Sequence, residues 1–196
     1  MQALKSYLLN LLPFTEEEID LIAQYCTTAS IKKGQMLLRE GDICRGYTFV
    51  VSGCFRMYAV DEKGKEHNIS FAAENEWIAD IGSFYSEKPS TLNIKALESS
   101  SVIQIEQKDL YHLYENITKL NRVFKVMVEN KYVELQRHLV QNFSSTAQTR
   151  YLSFLEQYPK IKDRLSNAQI ASYLGITPEF LSKVRKDIML EETGKA

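Results

Sequence analysis

The sequence predicts an α+β chain: an N-terminal antiparallel barrel or sandwich, then one long helix, then an all-α helix-turn-helix. Three observations predict it. Short alternating runs bounded by turn residues recur from about Ser30 to Glu106. No Pro or Gly interrupts a helical pattern from about Leu120 to Gln141. Between Leu165 and Lys186, small and apolar residues fall at the offsets of two short helices joined by a sharp turn.

Taken in order, Thr15 and Glu18 form a capping box, with Phe14 and Ile19 placed as the hydrophobic staple of the helix that follows. Met36–Leu38, Tyr47–Val51, Phe55–Val60, Ile69–Phe71, Leu92–Leu97 and Ser101–Ile105 read as short strands. Lys33-Gly34, Glu40-Gly41-Asp42, Ser52-Gly53 and Asp61–Lys65 supply turn chemistry between them. Many short strands at regular spacing indicate a closed or sandwiched antiparallel sheet.

The long helix, about 118–141, carries two apolar stripes. Val123, Val126, Val133 and Val140 fall at alternating heptad spacings, with Asn130 and Arg137 filling the gaps. This set is the expected dimer interface, since a polar Asn in such a seam can fix register. Leu120, Phe124, Met127 or Val128, Tyr132, Leu135 and Leu139 form the second stripe. One stripe can lie on the barrel while the other meets a symmetry-related copy, and the alternative is a helix buried in its own domain. Ser145 and Gln148 then read as another capping box, so the domains are expected at 1–143 and 144–196.

In the C-terminal domain Ala171 permits close crossing of two helices and Gly175 takes the turn. Ile170, Leu174, Ile176, Leu181 and Val184 supply the apolar contacts. Thr177-Pro178-Glu179 opens the second helix with a capping hydroxyl, a first-turn proline and an acid at the positive helix end. The expected DNA-contacting set is Thr177, Pro178, Glu179, Ser182, Lys183, Arg185 and Lys186, with Glu179 and Lys183 on base edges. Phe180 is left open between packing on the preceding helix and touching the DNA backbone. An ordinary helical hairpin within a larger core is the competing reading.

Composition narrows the classes. The chain has 196 residues, 44% hydrophobic and 25% charged, with a net charge of −1. From Ser145 onward eight basic residues oppose six acidic ones, a weak positive asymmetry. No stretch approaches the ~20 apolar residues of a membrane span. The N-terminus lacks the pattern of a signal peptide, so a cytoplasmic location is expected. Cys26, Cys44 and Cys54 form no Cys-x-x-Cys pair and are expected as buried reduced thiols. His67, His112 and His138 stand apart from one another, and no catalytic residue, metal ligand or cofactor is assigned.

The turns at Gly34, Glu40-Gly41-Asp42 and Ser52-Gly53, the long helix and the helix-turn-helix together resemble the Crp–Fnr family of bacterial transcription regulators. The likeness runs from Pro13 to Leu190, and the run Gly175–Lys183 resembles in particular its Bacteroidetes branch. The resemblance implies a β-roll (double-stranded β-helix) sensor of cyclic-nucleotide-binding type, a homodimer joined through the long helix, and an inverted-repeat operator in double-stranded DNA. It further implies RNA polymerase as a partner and an unidentified small-molecule effector as a possible one, and gives no role at a membrane. In cyclic-nucleotide binders of the family, a Gly-Glu-Leu segment and an Arg-Ser-Ala or Arg-Thr-Ala segment form the phosphate cassette. Here the matching segments are Ala79-Asp80-Ile81 and Ser90-Thr91-Leu92, expected to line an effector pocket. Asp80 could still accept from a sugar hydroxyl, but Ser90 cannot replace a guanidinium, so cyclic AMP binding is not expected. A β-roll sensor whose C-terminal helices bind a protein rather than DNA is the second functional reading.

Overall fold

The computed structural model describes residues 1–194. Helices α1 (Gln2–Leu11) and α2 (Glu16–Gln24) precede strands β1 (Cys26–Ile31), β2 (Met36–Leu38), β3 (Gly46–Ser52), β4 (Phe55–Val60), β5 (Glu66–Ala72) and β6 (Trp77–Ile78). A short α3 (Ile81–Ser86) leads to β7 (Asn93–Ala96) and β8 (Ser100–Glu106). Then come α4 (Gln107–Asn116), α5 (Thr118–Ser144), α6 (Ala147–Gln157), α7 (Asn167–Leu174) and α8 (Pro178–Thr193). The strands form two sheets, ordered β1-β8-β3-β6 and β2-β7-β4-β5. Among the described residues no helix is long and apolar enough to cross a membrane.

By compactness the chain divides elsewhere than at the expected 143/144 step. One unit holds residues 1–59 and 70–130, and the other holds 60–69 with the chain from 131 onward. The turn between β4 and β5 and the second half of α5 therefore group with the C-terminal helices.

In the first unit an aromatic cluster forms one side of the core. Tyr47 meets Phe84 at 4.7 Å and Phe124 at 5.2 Å between centroids, and Phe49 meets Trp77 at 5.1 Å and Tyr7 at 5.2 Å. The start of α5 is thus committed to the core. Val123, only 6% exposed, lies in this core beside Phe124, which removes it from the outward seam expected of it. The Thr15 box forms as expected: its hydroxyl accepts from the Glu18 amide at 3.2 Å, and the Glu18 carboxylate accepts from the Thr15 amide at 2.8 Å. Lys119 reaches Glu18 at 2.7 Å and holds the start of α5 to α2. Gly53 has a φ of 108°, and a Cβ built there would overlap Ser100, so the turn between β3 and β4 requires glycine.

The three cysteines are reduced thiols, Cys44 and Cys54 being buried. Burial pushes the Cys26 thiol up to about 12 and raises that of Cys44, which disfavours the reactive thiolate.

In the second unit Tyr173 is central. It stacks on His138 at 4.2 Å and packs on Phe154 at 5.5 Å and Tyr158 at 5.6 Å. The cap of α6 is displaced by one residue from its expected place. Thr146, not Ser145, accepts from the Thr149 amide, while the Gln148 side chain donates to Glu191 instead of closing a box.

Candidate functional site

The helix-turn-helix is assembled by local rules that the sequence displays. Ser166 and Gln169 form a capping box at the start of α7, and Gly175 ends it in the left-handed region at φ 68°. Ile176 returns its amide to the Ala171 carbonyl at 3.0 Å, which closes the turn. Thr177 caps α8 by accepting from the Phe180 amide at 3.2 Å, with Pro178 in the first turn. Leu181 and Val184 of α8 are buried, as are Ile170, Ala171 and Leu174 of α7.

Thr177, Pro178, Glu179, Ser182, Lys183 and Lys186 are all exposed. Glu179, Lys183 and Lys186 recur at intervals of four and three residues and so share one stripe. The Glu179 carboxyl is held below the usual carboxylate range, first by its own backbone amide and then by the Thr177 hydroxyl. It therefore stands ionised at the N-terminal tip of α8. The Ser182 hydroxyl donates back to the Pro178 carbonyl at 3.0 Å, which directs it along the helix. Phe180 is 46% exposed and stands out beside the stripe.

Arg185 departs from its expected role. Its guanidinium donates to Asn167 Oδ1 at 2.6 Å and lies 5.2 Å from the Tyr151 ring centroid. It turns back onto α7 and α6 and ties α8 to them, one side removed from the Glu179 stripe. No local spacing signals such a clamp, because its partners lie 18 and 34 positions away in the chain.

His138 carries a titration with a readable sign. Burial, reinforced by Arg150 and opposed by a backbone hydrogen bond at Tyr173, lowers its pKa from the ordinary 6.5. The folded state then binds fewer protons than the unfolded chain below that value. Its contribution is complete above about pH 6.5 and is lost as pH falls through the lower folded value. Melting followed from pH 7.5 to pH 5.5 is expected to drop more steeply for the wild type than for His138→Phe, which keeps the stack and removes the proton site. Equal slopes would exclude His138 as the source.

The expected effector segments meet each other rather than opening a site. Asp80 Oδ1 accepts from the Gly82 and Ser83 amides at 3.0 and 3.3 Å, capping α3. Asp80 Oδ2 accepts from the Ser90 hydroxyl at 2.6 Å, and Ser90 Oγ also accepts from the Leu92 amide at 2.9 Å. Asp80 and Ser90 are 8% and 3% exposed, so the carboxylate is buried against these partners. Ile81 and Leu92 are half-buried and Thr91 is exposed. A cavity of about 260 Å³ lies instead among Leu38, Tyr47, Thr48, Ile94 and Gln104, with Ala79 as the one member of the expected set on its wall. Gln104 donates to Thr48 at 3.2 Å there. Among the described residues no group of three or more His, Cys, Asp or Glu side chains converges as a metal site.

Beyond Phe124, α5 exposes apolar surface on two faces. Val126, Val133 and Val140 form one, interleaved with exposed Asn130 and Arg137. Tyr132, Leu135, Leu139 and Phe143, the last 83% exposed, form the other with half-buried Val128. This second stripe keeps spacings of four, three, four and four with no polar member.

Residues 28–116 match the cyclic nucleotide-binding domain. The chain is similar to the transcriptional activator protein Anr of Pseudomonas aeruginosa, with 24% identity over 88% of this chain and 75% of that protein. It is similar also to the fumarate and nitrate reduction regulatory protein of Vibrio cholerae, with 25% identity over 94% of this chain and 80% of the relative. Among solved structures, FixK2 from Bradyrhizobium japonicum superposes with a TM-score of 0.72 at 21% identity, covering 86% of each chain. A regulator assigned to the crp/fnr family from Eubacterium rectale gives a TM-score of 0.68 at 18% identity, covering 93% of this chain and 88% of that one. The matched sensor domain, these relatives and this fold together support a Crp–Fnr family transcription regulator.

Proposed function

We propose that this chain is a sequence-specific DNA-binding regulator that acts as a homodimer on an inverted-repeat operator. The observation that carries the reading is the exposed Glu179–Lys183–Lys186 stripe on a capped helix whose opposite face is packed against α7. An α-helix presenting such a stripe enters the major groove N-terminus first. Glu179 accepts from a cytosine amino group, Lys183 reaches a guanine edge, and Lys186, Thr177 and Ser182 serve phosphate contacts. The interface between copies is the Val128–Tyr132–Leu135–Leu139–Phe143 stripe. RNA polymerase is the partner through which such a regulator acts. The test is selection from random double-stranded DNA followed by gel shift over a salt series. Enrichment of an inverted repeat whose binding weakens steeply with salt supports the reading. Failure to enrich any sequence, with capture of a protein through α8, supports the protein-interaction alternative.

The effector reading follows from the closed cassette. A cyclic phosphate taken from water needs charge-assisted donors, and the loss of an arginine partner costs about 3 kcal/mol, more than a hundredfold in affinity. Titration calorimetry with cyclic AMP and cyclic GMP is expected to give no micromolar binding. Micromolar affinity for either would overturn the reading of Asp80 and Ser90.

A further inference from the structure

The helix-turn-helix is joined to the start of β5 by side chains far apart in sequence. The Ser172 hydroxyl of α7 donates to the Glu66 carbonyl at 2.8 Å and accepts from the Asn68 amide at 3.0 Å. One hydroxyl thus serves a donor and an acceptor of β5, the edge strand of its sheet, as a neighbouring strand would. The Asn68 side chain, 5% exposed, donates to the Gln169 carbonyl one turn earlier in α7 at 3.0 Å.

The turn that leads into this strand is itself braced. Asp61 Oδ1 accepts from the Lys63 and Lys65 amides at 2.9 and 3.0 Å, and its Oδ2 meets His67 Nε2 at 2.8 Å. Arg185 then carries the constraint from α7 to α8 through Asn167.

We propose that Ser172 and Asn68 are positioning residues for DNA reading, fixing the pose in which α7 presents α8. The proposal rests on the DNA-binding function above. Two recognition helices that must meet half-sites one helical turn apart lose affinity when each is free to reorient, because docking must then order them. A held pose also makes the distance between half-sites matter.

Two measurements on the full chain test this. In hydrogen exchange, Ser172→Ala is expected to speed the Asn68 amide by about tenfold and Ser172→Thr, which keeps the hydroxyl, to restore protection. Unchanged exchange in Ser172→Ala overturns the grip whether or not the chain binds DNA. On the selected operator, Ser172→Ala and the Ser172→Ala/Asn68→Ala pair are expected to bind about tenfold more weakly. They are also expected to discriminate less against spacers one base pair longer or shorter, while base preference within each half-site stays as in the wild type. Ser172→Thr is expected to keep both affinity and spacing discrimination. Unchanged affinity and spacing preference, or tighter binding by the variants, overturns the positioning role. A wild type that selects no operator overturns the DNA-binding reading, and the exchange experiment then judges the grip alone.

Discussion

Leu135→Glu combined with Leu139→Glu is expected to yield a monomer that no longer shifts operator DNA at micromolar protein. The two side chains lie at the centre of the α5 stripe that has no polar member, and both are more than half exposed in the single chain. Across a two-fold axis, four carboxylates would be brought together and stripped of water, which like charges resist strongly. Because neither leucine is in the core, the fold itself should survive, with far-ultraviolet dichroism unchanged. Light scattering and gel shift measure the two outcomes. The Val126–Val133–Val140 face supplies the control: Val133→Glu faces solvent beside Asn130 and Arg137 and is expected to leave the dimer intact. A dimeric double variant together with a monomeric Val133→Glu would reverse the assignment of the stripes.

Glu179→Ala is expected to relax base preference at one position in each half-site and to cost about 1–3 kcal/mol per half-site on the preferred sequence. The carboxylate is ionised and sits at the exposed tip of α8, so its removal deletes an acceptor without disturbing the core. Lys183→Ala is expected to relax a second, different position. Lys186→Ala should instead weaken binding evenly across sequences and flatten the salt dependence by about one unit of slope. An operator logo identical to that of the wild type for Glu179→Ala would place the base contact elsewhere.

What could be read from the sequence is what is decided within four residues. The Thr15–Glu18 box, the Gly175 turn and the Thr177–Pro178 start all appear where expected, because each satisfies backbone groups next to itself. Choices between neighbours were harder: Ser145 and Thr146 offer the same hydroxyl, and Glu191, 43 residues downstream of Gln148, draws that side chain away from the cap. The site residues divide on the same line. Glu179, Lys183 and Lys186 stand on a helix whose faces follow from its period. Arg185 shares that helix, but Asn167 and Tyr151, brought close by the tertiary fold, decide its direction. Val123 fits a heptad, yet the β-roll core claims it. Asp80 was legible as an acceptor, and its use as a helix cap with Ser90 as second partner required the folded chain.

The Asp80–Ser90 bond also bears on how nucleotide recognition could be built into this chain. An arginine introduced at position 90 alone would place a guanidinium against a buried carboxylate, and the two would neutralise each other before any phosphate arrived. Removing Asp80 alone would uncap α3 and leave the Ser90 hydroxyl with the Leu92 carbonyl, 3.0 Å away, as its acceptor. Nucleotide recognition would therefore need an arginine together with a new partner for the Asp80 carboxylate, two changes rather than one.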